Sequence, residues 1–88
     1  MSVPRKLTAN FVETRVDDEI LIVDLDGGEL LSLEGTGRAV WELIDGQRAQ
    51  AEIVAALERE YDAPAGQIPG DVDALIEDMV RARLVACG

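Results

Sequence analysis

Residues 29–46 read Glu-Leu-Leu-Ser-Leu-Glu-Gly-Thr-Gly-Arg-Ala-Val-Trp-Glu-Leu-Ile-Asp-Gly, and they decide the fold. The first five residues have the composition of a strand, and Gly35-Thr36-Gly37 is a turn into a helix. Val40, Leu43 and Ile44 recur at helical spacing, and Gly46 supplies the residue best suited to positive φ after the helix. A leucine-rich strand thus runs directly into a short amphipathic helix that carries the only tryptophan, Trp41.

Upstream of this stretch the pattern has period two. Residues 11–16 place Val12, Thr14 and Val16 on one face and Phe11, Glu13 and Arg15 on the other, as in a half-buried strand. Asp17-Asp18 is a turn, and residues 20–25 form a second strand, apolar on both faces until Asp24, as a central strand would be. Asp26-Gly27-Gly28 supplies a tight hairpin, and residues 29–33 return as the third strand. Links this short predict an antiparallel meander with the first and third strands at its edges.

Downstream the period becomes helical. Ile53, Val54, Leu57 and Tyr61 form the apolar stripe of a helix over residues 49–61, where Ala49 occupies the place of a hydroxyl cap opposite Glu52. Pro64, Gly66, Pro69 and Gly70 predict a loop over residues 62–70. Asp71 is a suitable N-cap for a last helix with the stripe Val72, Leu75, Ile76, Met79 and Val80, after which Leu84-Val85 returns to the core. Residues 1–10, with Pro4 and Arg5-Lys6, have no sustained period and read as a flexible arm, so the folded domain is expected over residues 11–88. Three strands followed by three helices make an α+β domain.

Eighty-eight residues make one domain, and a chain of that length buries about 60–65% of its unfolded surface. An apolar content of 48% with both periodicities excludes a disordered chain. Eighteen acids against eight bases give a formal charge of −10, which disfavours nucleic acid and anionic membranes as partners. No apolar run approaches the ~20 residues of a membrane span, residues 1–10 lack a signal-peptide core, and one cysteine permits no internal disulfide. The expected setting is the cytoplasm.

Catalytic chemistry is scarce. The sequence has no histidine, so the commonest acid–base catalyst and metal ligand is missing, and Cys87 has no imidazole in the chain to activate it. Asp24-Leu-Asp26-Gly-Gly-Glu29 is not a calcium loop, because its glycine comes too early and the twelfth position is Gly35. Gly35-Thr-Gly37 lacks the third glycine of a dinucleotide fingerprint, since Val40 stands there. No catalytic residue, cofactor or metal is expected. What remains is a surface: an edge strand with unpaired backbone groups must be covered, charged or used, and adding a peptide strand uses it. Alternation turns Leu30 to the face opposite Leu31 and Leu33, so the three leucines cannot all enter the core.

The segment 29–33, the block Trp-Glu-Leu-Ile-Asp-Gly over residues 41–46, Glu52-Ile-Val-Ala-Ala-Leu, and the residues from Asp71 to Leu84-Val85 resemble the PqqD family. These are small peptide chaperones of pyrroloquinoline quinone biosynthesis and the prototype of recognition elements for leader peptides of ribosomally made, modified peptides. The resemblance runs from about Phe11 to Val85. It implies a winged-helix-like fold, a three-stranded antiparallel sheet followed by three helices. It also implies that a leader peptide adds to the third strand, in a groove shared with the last helix.

On this sequence that strand is Glu29, Leu30, Leu31, Ser32 and Leu33, and the helix side of the groove is Val72, Leu75, Ile76 and Met79. Arg81 and Arg83 are placed to attract acidic leader residues. The implied partners are the precursor peptide and a modifying enzyme, such as a radical SAM protein, with the domain itself a monomer or weak homodimer. Arg83 stands where glycine is common after the last helix, which predicts a positive φ there or a longer helix.

Two other functions fit the same elements. A winged-helix DNA-binding protein would need a basic second or third helix, whereas residues 49–61 carry one Arg against three Glu. An oligomerisation module without a peptide client would instead pair edge strands between subunits.

Overall fold

The three predicted strands form one antiparallel sheet. In the computed structural model, which describes residues 3–87, they are β2 (Phe11–Val16), β3 (Glu19–Asp24) and β4 (Leu30–Leu33), following a short β1 (Pro4–Lys6) and a 3-10 turn (Thr8–Asn10). The order β2-β3-β4 leaves β2 and β4 at the edges. Three helices follow, α1 (Thr36–Leu43), α2 (Gln50–Glu60) and α3 (Gln67–Arg81), and β5 (Val85–Cys87) comes last. The architecture is α+β, as the segregation of periods requires.

One face of the sheet packs on the helices. Phe11, Ile20, Ile22 and Leu33 are buried from that face, against Val40 and Trp41 of α1, Ile53 and Leu57 of α2, and Val72, Ile76 and Met79 of α3. The aromatic face of β2 is the inward one, because Phe11 meets Trp41 edge-to-face at 5.2 Å and Glu13 accepts the indole N–H at 3.0 Å. Val12 and Val16 therefore remain exposed, with Val23 opposite Val12 on β3. The centre of the sheet is consequently uncovered on its second face, unlike a strand buried on both sides.

Residues 3–10 do not behave as a free arm; positions 1 and 2 lie outside the described residues. Strand β1 pairs antiparallel with β5 in the register Pro4↔Cys87, Arg5↔Ala86 and Lys6↔Val85, and Pro4 is buried. Proline fits the first position of a strand, and the Lys6 ammonium lies 4.5 Å from the centre of the Trp41 ring. Burial holds that ammonium below the ordinary lysine range, with the Glu13 carboxylate opposing the shift.

The last helix begins four residues before the expected Asp71 cap. Gly66, at φ 86°, is the N-cap, and Pro69 falls in the first turn, where its missing N–H removes no helical bond. At the other end Arg83 adopts φ 60°. Its N–H donates to the Val80 carbonyl at 3.0 Å and that of Leu84 to Met79 at 2.9 Å, a Schellman closure with arginine in the left-handed position. Helix α2 keeps half of a capping box: the Ala49 N–H donates to Glu52 Oε1 at 2.9 Å, while alanine offers no acceptor in return.

Asp45 organises the turn between α1 and α2. Its Oδ1 accepts the Gln47 and Arg48 N–H groups, each at 2.9 Å, and these bonds hold its carboxyl below the usual range, the Arg48 bond foremost. A depressed folded pKa contributes stability that is complete above the unfolded value, about 3.9, and is lost as pH falls through the folded one. Asp45→Ala is therefore expected to melt below the parent at pH 7, with the gap closing progressively under acid. A gap that stays constant as the pH drops would show that the charge of Asp45 is not what stabilises the turn.

Candidate functional site

The phase of the β-ladder determines which backbone groups of β4 are free. The Leu25 N–H donates to Asn10 and the Asp24 N–H to Glu29, both at 2.9 Å. Alternation from those two points directs Glu19, Leu21 and Val23 toward β2, and Ile20, Ile22 and Asp24 toward β4. In register, Ile20 faces Leu33 and Ile22 faces Leu31, so Leu31 and Leu33 bond inward. Leu30 and Ser32 turn their N–H and C=O groups away from the sheet. Among the described residues β4 pairs only with β3, so this edge holds two donors and two acceptors ready for another strand.

Side chains alternate across the same strand. Leu30, 65% exposed, shares the open sheet face with Val23 and Val12, its neighbours in register. Leu31 and Leu33 face the helices; Leu33 is buried, while Leu31 at the rim stays 38% exposed. Gly37 marks where strand and helix converge: a Cβ there would lie 3.6 Å from Leu33 Cδ2 and 3.9 Å from Leu75 Cδ2. Leu75 is the half-buried flank of α3 on this side.

The expected helix wall needs correction. Val72, Ile76 and Met79 are at most 3% exposed and belong to the core. Ile68, Val72, Ile76 and Met79 share the face of α3 that enters the core, and Leu75 lies on the flank of that stripe. Arg81 and Arg83 do not form a joint anion site. Arg81 lies 3.4 Å from Asp78 and 3.9 Å from Glu77, whereas Arg83 lines a separate depression with Asn10, Asp24 and Asp26. Glu29 and Ser32 are exposed at the edge, and the Ser32 hydroxyl donates to the Glu19 carboxylate.

Among the described residues, no cluster of three or more His, Cys, Asp or Glu side chains is placed to hold a metal ion. No helix among them is long and apolar enough to cross a membrane.

The family described as coenzyme PQQ synthesis protein D (PqqD) matches residues 19–85, from the first residue of β3 to the first of β5. The chain belongs to the PqqD family. A solved structure of TbiB1 in complex with the TbiA(beta) leader peptide superposes with a TM-score of 0.79 at 24% identity, covering 91% of this chain and 93% of that one. That likeness establishes a shared fold, sheet and three helices together. No curated protein matches the sequence. In this PqqD domain the matched segment includes β4, Gly37 and Leu75, so the open edge lies within the part of the chain that the family match covers.

Proposed function

We propose that the protein binds the leader segment of a ribosomally made precursor peptide by strand addition to β4 and presents it to a modifying enzyme, such as a radical SAM protein. The observation that carries this reading is the open edge, where Leu30 and Ser32 point their backbone groups away from β3. Membership of the PqqD family and the leader peptide held by TbiB1 support it. In this reading the domain contributes binding and orientation, and the partner enzyme contributes the chemistry.

The peptide runs antiparallel to β4. Its residue opposite Leu31 faces the helices, where Leu31 and Leu75 leave apolar surface uncovered, and its neighbours face the open side with Leu30. The backbone bonds are worth about 0.5–1.5 kcal/mol each, and ordering a flexible peptide largely offsets them. Burial against Leu31, Leu75 and Leu30 therefore sets much of the affinity.

An amide-resolved NMR titration with the precursor's leader segment tests the site. Shifts are expected at residues 29–34 and along α3 around Leu75. Shifts confined to α2, with the β4 amides silent, would eliminate this groove.

A further inference from the structure

From Val16 to Gly37 the chain holds seven carboxylates and no lysine or arginine. This run includes all of β3 and β4, so the edge strand and its neighbour carry charge of one sign. Glu29 and Glu34 flank β4 at its two ends. Glu19 reaches across from β3 to accept the Ser32 hydroxyl, which sets its carboxylate on the open face beside one of the two outward-pointing residues. On the helix side, Asp71 and Asp78, four residues before and three after Leu75, share its flank of α3, and the lone base of that helix, Arg81, is engaged by Glu77 and Asp78.

We propose that the peptide segment accepted by β4 is cationic, with an apolar residue opposite Leu31 and lysine or arginine opposite Ser32. Glu19 is the specificity-determining residue for that position. The inference rests on the strand-addition reading above and deepens it by stating the charge of the client. An added strand runs about 4.8 Å from β4, so a side chain opposite Ser32 stands on the same face as the Glu19 carboxylate and within reach of it. A base there relieves the repulsion of the acidic edge, and an acid adds to it. An incoming anionic segment would also meet the field of a chain whose net charge is −10.

The test uses two acetylated synthetic peptides of about twelve residues, alternating leucine or valine with either lysine or glutamate, titrated into the labelled full chain. In about 20 mM salt the lysine peptide is expected to bind roughly tenfold or more tightly than the glutamate peptide, shifting the Leu30 and Ser32 amides. Raising the salt to about 500 mM should shrink that ratio, and Glu19→Gln, which keeps an acceptor for Ser32, should lower it at low salt. Equal affinities, or a preference for the glutamate peptide, with the β4 amides still shifting would overturn the charge inference and leave strand addition standing. If neither peptide shifts the β4 amides, strand addition falls and this proposal falls with it.

Discussion

Ser32→Pro is expected to weaken leader-peptide binding at least tenfold, about 1.4 kcal/mol, while the domain stays folded. The Ser32 N–H points out of the sheet, so proline removes a donor that β3 does not use and sets its ring against the incoming strand. Edge positions facing solvent are where sheets tolerate proline. Leu31→Pro is the contrasting substitution, because the Leu31 N–H bonds inward to Ile22. That change should lower the melting temperature. Ser32→Ala separates backbone from side chain, losing the hydroxyl bonded to Glu19 while keeping the N–H, and it should bind the leader within a few-fold of the parent. Undiminished binding by a folded Ser32→Pro would show that the peptide does not pair with β4.

Trp41→Ala should cost roughly 3–5 kcal/mol, a large part of the stability of so small a domain. The ring is fully buried. It packs edge-on against Phe11, lies beneath the Lys6 ammonium, and donates its N–H to Glu13, so it joins α1 to both β1 and β2. Truncation leaves a cavity, strips the Glu13 carboxylate of its donor, and opens the surface under the N-terminal strand. The expected drop in melting temperature is roughly 12 °C or more. Trp41→Phe retains an aromatic contact with Phe11 but loses the N–H, and should fall between the two. A Trp41→Ala variant melting within a few degrees of the parent would refute this central role. Because Trp41 is the only tryptophan, its fluorescence follows unfolding of the parent directly.

The sheet and helices were legible because period two gives way to period 3.6 at one place, Gly35-Thr36-Gly37, and short links leave little freedom of topology. Four features were hidden, each for a physical reason. Pro69 and Gly70 resemble loop residues, yet the first turn of a helix needs no N–H from Pro69; the family resemblance assigns Val72, Ile76 and Met79 to a groove wall, although the same apolar stripe is what a helix buries in the core. Residues 4–6 carry no period because three residues are too few to show one, and their partner β5 lies at the far end of the sequence.

The inward face of β2 could not be chosen from alternation alone. Valines marked one side and Phe11 the other; the preference was set by Trp41, whose N–H needs the Glu13 carboxylate. The edge itself was visible, including the opposition of Leu30 to Leu31 and Leu33. Which of its residues bond outward was not, since that depends on the phase of the ladder. One hydrogen bond, from Asp24 to Glu29, fixes that phase.

The ribbon of β1 and β5 gives the molecule a mechanical character that its thermodynamics does not disclose. Pro4 and Cys87 are register partners at its outer end, while Lys6 and Val85 lie at the inner end. A load applied to the two chain ends therefore meets the pairs one after another, like a zip, rather than shearing them together. The outermost pair is held by its backbone bonds and the buried Pro4 side chain, and the inner one by Val85 in the core and Lys6 against Trp41, so resistance rises as the ribbon opens inward. Once it peels, Lys6 lifts from Trp41 and the tension reaches the Schellman closure at Arg83. Reforming the ribbon requires closing nearly the whole chain into a loop, which favours its assembly after the local sheet and helices. A stretched domain of this kind is expected to surrender its ends first and keep its β4 edge until later.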